Sequence, residues 1–107
     1  MTAGTQRKLT TIFAANAEGY GRLMAADEVA AMTALRASRD VFGRLIERHR
    51  GRIANTAGDG LIADFPSVVE AVQCAAEVQT ELAARVAGRD PTTAMRFRIG
   101  AHPVTSW

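Results

Sequence analysis

The side chains of this 107-residue chain that could hold a cation or a phosphate group lie in two glycine-containing segments. The first contains Asn16 and Glu18, followed by Gly19-Tyr20-Gly21-Arg22, and the second contains Asp59 between two glycines. Carboxylate and amide oxygens are ligands for hard divalent cations, and glycine-rich loops can present backbone amides to phosphate. Asp-Gly sequences are also common in ordinary tight turns, so Asp59 has a purely structural interpretation as well.

The other reactive side chains are expected to be structural. His49 and His102 have no partner at metal-ligand spacing and are predicted to lie at the surface, with His102 in a mobile terminus. Cys74 lies in an Ala-rich amphipathic stretch and is predicted to be a small buried residue. A single cysteine cannot form an internal disulfide and is typical of a reducing compartment. No Ser/His/Asp or Cys/His set is identifiable, so the sequence assigns no catalytic residue.

Composition limits the class of protein. Apolar residues make up 48% of the chain and charged residues 22%, which favours one folded domain over disorder. Thirteen Lys and Arg against 11 Asp and Glu give a formal net charge of +2, and six arginines fall between Arg36 and Arg52. A solvated helix face explains this cluster better than nucleic-acid binding, because only Phe42 could stack on a base there. No apolar run could span a bilayer and residues 1–8 do not form a secretory signal, so a cytoplasmic protein without a membrane partner is expected.

Hydrophobic periodicity and turn residues predict six secondary-structure elements. In order they are a strand over 9–15, a helix over 27–49, strands over 52–56 and 61–65 around a tight turn, a helix over 67–88 that opens with a Ser67–Glu70 capping box, and a strand over 95–99. The apolar stripe of the first helix is predicted to be Met32, Leu35, Phe42 and Ile46. The buried face of the second is predicted to be Val68, Val72, Ala75, Leu82 and Val86.

The order β-α-β-β-α-β predicts an α+β fold of the ferredoxin-like type, an antiparallel sheet with both helices on one face. In that arrangement the first and third strands are central neighbours. The end of the first strand at Asn16 should therefore lie close to the hairpin turn that carries Asp59. A carboxylate there could share a divalent metal with groups on the first loop.

Several segments resemble the catalytic domain of class III adenylate/guanylate cyclases. Residues 13–24 (FAANAEGYGRLM) resemble the first-strand motif of the family, and residues 51–65 (GRIANTAGDGLIADF) resemble its hairpin still more closely. Phe65-Pro66-Ser67 and Arg96-Phe97-Arg98-Ile99-Gly100 continue in the same order and spacing. The resemblance covers about residues 8–100 of a single 1–107 domain and only the front half of the family's domain, and residues 101–107 diverge as in a truncated or frameshifted gene.

The resemblance implies conversion of a nucleoside triphosphate, ATP in preference to GTP, to a 3′,5′-cyclic nucleotide and pyrophosphate. Two Mg²⁺ or Mn²⁺ ions would assist, at sites formed across a homodimer. The implied metal positions are Asp59, Asn16, where the family has an aspartate, and the backbone of Ala17. The implied nucleotide-binding residues are Gly19, Tyr20, Gly21 and Arg22, with Asn55 at the position that reads the purine.

Three departures from the family pattern predict a domain with little or no activity. Asn16 carries no charge where the family has a carboxylate, and Glu18 is a disfavoured replacement ligand. Asn55 replaces the Lys or Glu of the family, and its amide offers both a donor and an acceptor, so it does not impose a choice of purine. The transition-state Asn and Arg of the family belong to the rear half, which has no counterpart here.

The expectation is therefore a truncated, degenerate cyclase-like pseudoenzyme. One alternative is a non-catalytic module that pairs with itself or with an intact cyclase. A basic nucleic-acid-binding domain is a third possibility, disfavoured by the lack of surface aromatic residues.

Overall fold

The computed structural model describes residues 8–86 and 95–106. Over these residues the elements, in chain order, are β1 (Lys8–Ala17), α1 (Tyr20–Ala26), α2 (Glu28–Arg48), β2 (Arg52–Ala57), β3 (Gly60–Phe65), α3 (Val68–Val86) and β4 (Phe97–Ser106). Within the same residues, no helix is both long enough and apolar enough to cross a membrane.

The four strands form an antiparallel sheet in the order β2-β3-β1-β4. β1 pairs with β3 from Thr11 opposite Phe65 to Asn16 opposite Gly60, and it pairs with β4 along its whole length. α2 contacts β2, and α3 contacts β1, β3 and β4. The predicted α+β ferredoxin-like topology, with β1 and β3 as central neighbours, is confirmed.

The core lies between the sheet and the helices. Alternate strand residues point into it, as the two-residue period of a strand requires. In β1 and β3 these are Thr11, Phe13, Ala15, Ala17, Leu61, Ala63 and Phe65. The ring of Phe13 lies 6.1 Å from that of Phe42 and 5.3 Å from that of Phe65, measured between centroids. We call the opposite side of the sheet, which carries Asn16, Asn55 and Ile62, the open face.

Helix α1 replaces the loop that the sequence predicted after the first strand. Gly19 adopts a left-handed conformation with φ 62°, and the Leu23 N–H donates to the Gly19 carbonyl at 3.0 Å. Glycines at 19 and 21 lower the helix propensity of this segment, but the buried Leu23 side chain holds it against the core. The start of the next helix is confirmed, because Asp27 is its N-cap and accepts from the Ala30 N–H at 3.0 Å.

The buried stripes of the two long helices agree only in part with the prediction. In α2, Leu35, Phe42 and Ile46 are buried as expected, but Met32 is 40% exposed.

In α3, Leu82 is buried, whereas the predicted core residues Val68 and Val72 are exposed, and Ala75 is half-buried. The remaining buried residues of α3 are Ala71, Cys74 and Val78. The small side chains of Ala71 and Cys74 thus lie in the core, whereas the larger Val68 and Val72 do not. The side chain of Val86 and the predicted stop at Gly88 lie outside the described residues.

The capping box at the start of α3 is half formed. The Glu70 N–H donates to Ser67 Oγ at 3.1 Å, as predicted. The Glu70 carboxylate instead contacts His49, with 3.0 Å between Glu70 Oε1 and His49 Nδ1. The Glu70 side chain, which would complete the capping box by bonding back to the start of the helix, is therefore engaged in a tertiary contact with His49.

Strand β4 includes most of the segment that the sequence predicted as a tail. Residues 100–106 pair with β1, with Pro103 opposite Thr11 and His102 opposite Ile12. The prediction that the last strand ends at Ile99 is therefore wrong, and so is the placement of His102 in a mobile terminus. Gly100 and Pro103 weaken the strand pattern of the local sequence. The partner that pairs with these residues, β1, lies far away in the sequence, so the local pattern does not reveal the pairing.

Candidate functional site

The end of β1 lies beside the β2–β3 turn, as the topology predicted. Asn16 is opposite Gly60 in the register, and the Ala17 N–H donates to the Asp59 carbonyl oxygen at 3.3 Å. The Asn16 side chain lies over Gly60, since a Cβ built at Gly60 would be 3.0 Å from Asn16 Oδ1. The structure thus brings the three predicted metal positions together, and it leaves little room for any side chain at position 60.

Asn16 and Asn55 line one depression on the open face, with a volume of about 220 Å³. Its other lining includes Ala57, Gly60 and Ile62. Asn55 reaches this face because the β2 register shifts between Ile53 and Asn55, so that Asn55 is opposite Ile62. Since successive strand residues point to opposite faces, the same strand without this bulge would turn Asn55 towards the core. The predicted purine-reading position is therefore set by a backbone irregularity that the sequence did not reveal.

The predicted nucleotide-binding residues lie at the start of α1. Tyr20 is half-buried against the core, and a Cβ at Gly21 would meet nothing within 4 Å beyond the helix's own nearby backbone. The Arg22 guanidinium lies against Gly19, with Nη2 3.0 Å from the place that a Cβ at Gly19 would take. The segment is therefore the glycine-capped start of a helix. Its first backbone N–H groups precede the first helical hydrogen bond, from Leu23 to Gly19, and Arg22 adds one cationic group.

Glu18 faces an arginine and does not join the metal positions. Its Oε1 atom is 3.4 Å from Arg98 Nε, and Arg98 is opposite Asn16 across the β1–β4 pair. Both side chains of this ion pair are solvent-exposed, so it contributes little to stability. The Glu18 carboxylate offsets the charge of the Arg98 guanidinium, so the ion pair as a whole is neutral beside Asn16.

The residues present fit a bound divalent ion poorly. Within residues 8–86 and 95–106, no group of three or more His, Cys, Asp or Glu side chains is arranged to hold a metal. The predicted positions supply one carboxylate at Asp59 and one neutral amide at Asn16. Magnesium sites usually depend on carboxylates together with substrate phosphates.

The arginine cluster between Arg36 and Arg52 is largely engaged within the fold. Arg39 donates to the Gly58 carbonyl, which ties α2 to the turn that carries Asp59. The ion pairs made by this cluster are Arg44–Glu81, Arg48–Glu77 and Arg52–Asp64. These contacts agree with the interpretation of the cluster as a helix surface.

His49 is buried, and its predicted surface position is wrong. It is 8% exposed and lies between two carboxylates of α3, with Nδ1 3.0 Å from Glu70 Oε1 and Nε2 2.5 Å from Glu77 Oε2. The hydrogen bond to Glu70 is the main cause that raises the pKa of His49 above its ordinary 6.5; burial opposes it and the bond to Glu77 adds to it. The signal that could have found this cluster is the seven-residue spacing of the two glutamates, which places them on one face of a helix.

Cys74 is fully buried in α3, as predicted. Burial is the main cause that raises the pKa of its thiol to about 12, and the negative charges of Glu77 and Glu70 add to it. Cys74 therefore stays protonated at neutral pH and is a packing residue.

Comparisons with known proteins agree with the topology. No family model matches the chain. Over 98 residues it is 39% identical to "Putative adenylate cyclase 3" of Rhizobium meliloti (strain 1021), a match that covers 91% of this chain and 17% of that protein. The solved adenylate/guanylate cyclase/hydrolase from Silicibacter pomeroyi is similar with a TM-score of 0.83 and 30% identity, over 94% of this chain and 59% of that chain. The adenylyl cyclase CyaB from P. aeruginosa shares the fold, with a TM-score of 0.78 and 19% identity over 94% of this chain and 58% of that one. The chain thus spans less than two thirds of the length of each of these relatives.

Proposed function

We propose that this chain, a class III adenylate/guanylate cyclase-like domain, is a degenerate form of that domain. It holds a nucleoside triphosphate weakly and does not cyclize it alone. The observation that carries this proposal is the pairing of Asn16 with the Asp59 turn. The backbone there has the arrangement that the family resemblance implies, whereas the side chains lack the negative charge that two divalent ions require.

The charge at this site argues against tight metal binding. A carboxylate at position 16 would attract a divalent ion through its full charge, whereas the Asn16 amide offers only a dipole. Arg98, opposite Asn16, is paired with the Glu18 carboxylate, so that ion pair adds no net charge at this end of the open face. The missing charge at position 16 therefore lowers the local concentration of cations.

Residual nucleotide contact would come from the depression and from α1. Asn55 presents an amide on the open face that can donate to or accept from a purine. Arg22 presents a guanidinium suited to a phosphate. ATP is proposed as the preferred nucleotide because of the adenylate cyclase named among the relatives. Neither contact positions a nucleophile or a leaving group, so no cyclization step follows from these residues.

The test compares the chain with its Asn16→Asp variant, because aspartate matches asparagine in size and adds the missing charge. Binding of Mn²⁺ with ATP is measured by calorimetry, and cyclic AMP and cyclic GMP are measured after incubation with ATP or GTP. We expect no cyclic product from either protein. We expect Asn16→Asp to tighten Mn²⁺-dependent ATP binding by at least about tenfold, since a unit charge about 4 Å away contributes several kcal/mol at partly screened sites.

Two controls show whether any gain belongs to the predicted metal position. Asn55→Asp places the same charge in the same depression and should not give the gain. Asp59→Ala in the Asn16→Asp background should abolish it. Cyclic nucleotide formed by the unmodified chain would overturn the proposal, and so would an Asn16→Asp variant whose metal-dependent binding equals that of Asn55→Asp.

We also propose, from the same family resemblance, that the domain works as a homodimer or together with another cyclase domain. The comparisons support a cyclase-like domain, and they do not favour a module whose only role is to pair with itself or with an intact cyclase. Sedimentation of the chain over a range of concentrations, alone and mixed with an intact cyclase, tests it. A single monomeric species in every mixture would contradict it.

A further inference from the structure

A polar cluster around the buried His49 ring links α2 to α3, away from the depression on the open face. It consists of His49 at the C-cap of α2 and of Glu70 and Glu77 on α3. We infer that this cluster is a proton-dependent clamp, which holds the two helices together when the His49 ring carries both of its protons and weakens when one is lost. The inference is independent of the proposed function.

The geometry requires the doubly protonated ring. Each ring nitrogen of His49 lies within hydrogen-bond distance of a carboxylate oxygen, at 3.0 Å for Glu70 and 2.5 Å for Glu77. A neutral imidazole has one N–H and one lone pair, so it can donate to only one of these carboxylates. Its other nitrogen would direct a lone pair at the second carboxylate. With two ionised carboxylates, only the imidazolium form satisfies both contacts.

The groups around the ring determine how strongly it holds its proton. The two carboxylates that face the His49 ring belong to α3. The thiol of Cys74, which lies between them in the sequence, is neutral. From α2, Arg48 Nη1 lies 3.8 Å from Glu77 Oε1 and partly offsets that charge. The carboxylate of Glu70 is also less exposed than that of Glu77. Glu70 is therefore the stronger partner of the proton.

On the sheet side, the chain that follows the ring is tightly packed. Arg50 adopts a left-handed φ of 64°, and a Cβ at Gly51 would lie 2.5 Å from Phe65 Cε2. β2 begins at the next residue and carries Asn55 towards the turn. The ring therefore stands three residues before the start of the strand that lines the depression.

The sign of the pH dependence follows from the direction of the shift. The folded state holds the His49 proton more tightly than the unfolded state, whose pKa is close to the ordinary 6.5. The stabilisation is fully present below that pH and is lost as pH rises through the pKa of the folded protein. Within that window unfolding releases a proton, so the unfolding equilibrium constant should rise by up to about tenfold per pH unit.

The first test is an NMR titration of the histidine rings in the unmodified chain from about pH 5.5 to 8.5. We expect a His49 midpoint above 6.5. A midpoint at or below 6.5 would overturn the inference, and this measurement needs no variant. Glu70→Gln keeps a hydrogen-bond acceptor but removes the charge, so it should lower the midpoint of the His49 titration. The decrease should be larger than the one that Glu77→Gln causes. No change in either variant would also overturn the inference.

The second test follows urea unfolding across the same pH range. We expect His49→Gln to lose the pH-dependent part of stability that the unmodified chain shows above pH 6.5. His102→Gln is the matched control, because it removes the other histidine, an exposed residue of β4, and should keep that pH dependence. If His49→Gln and His102→Gln show the same slope of stability against pH, the clamp does not exist.

Discussion

The connection between α2 and β2 leaves no room for a side chain at Gly51, and this allows a sharp test of the packing. A Cβ built there lies 2.5 Å and 2.7 Å from two ring carbons of Phe65 and 2.8 Å from Ile46 Cγ2. Phe65 and Ile46 are each 1% exposed, so neither can turn away into solvent. The Gly51 N–H donates to the Ile46 carbonyl at 2.8 Å, so the backbone cannot shift without weakening that bond.

We therefore expect Gly51→Ala to lower the free energy of unfolding by about 1–3 kcal/mol, the usual cost of forcing extra volume into a packed core. Gly51 does not have a positive φ, so this cost is steric rather than conformational. The matched control is Gly43→Ala, which adds the same methyl group inside α2, where nothing beyond the adjacent residues and the helix's own nearby backbone lies within 4 Å. Replacing a helix-interior glycine by alanine should stabilise by about 0.5–1 kcal/mol.

The two variants should thus change stability in opposite directions and differ by about 1.5–4 kcal/mol. Urea unfolding followed by far-UV circular dichroism measures this difference as a change in midpoint at constant slope. If Gly51→Ala were as stable as Gly43→Ala, the contacts of Gly51 with Phe65 and Ile46 would be wrong.

Two further predictions concern the core. Phe13→Ala should lower the free energy of unfolding by about 3–5 kcal/mol, because Phe13 is fully buried against two other aromatic rings. Urea unfolding measures this loss, and a loss below about 1 kcal/mol would contradict the packing. Cys74 should react slowly with iodoacetamide in the folded chain, because it is buried with a thiol pKa of about 12. Mass spectrometry should show rapid alkylation only in urea, and equal rates in both conditions would refute its burial.

Periodicity and turn residues were sufficient to predict β1, β2 and β3 within two residues at each end. They were also sufficient to place Asn16 beside the turn that carries Asp59, because the topology leaves β1 and β3 as neighbours. The strands depend on residues close together in the chain, which determine strand alternation and turn geometry directly, whereas the closeness of Asn16 and Asp59 follows from the order of the elements.

Other features depended on partners far away in the sequence. Residues 100–106 form a strand despite Gly100 and Pro103, because β1 supplies a complete row of pairing groups. The exposure of Met32 follows from which side of α2 meets the sheet, and apolar periodicity alone does not determine that orientation.

The amino-acid sequence by itself therefore determined the α+β topology and the neutral amide where the resemblance implies a metal-binding carboxylate. Only the tertiary structure placed Asn55 on the open face, through a bulge in β2, and His49 between Glu70 and Glu77. The physical reason is that local propensities act over a few residues, whereas burial, hydrogen-bond partners and protonation depend on groups that only folding brings together.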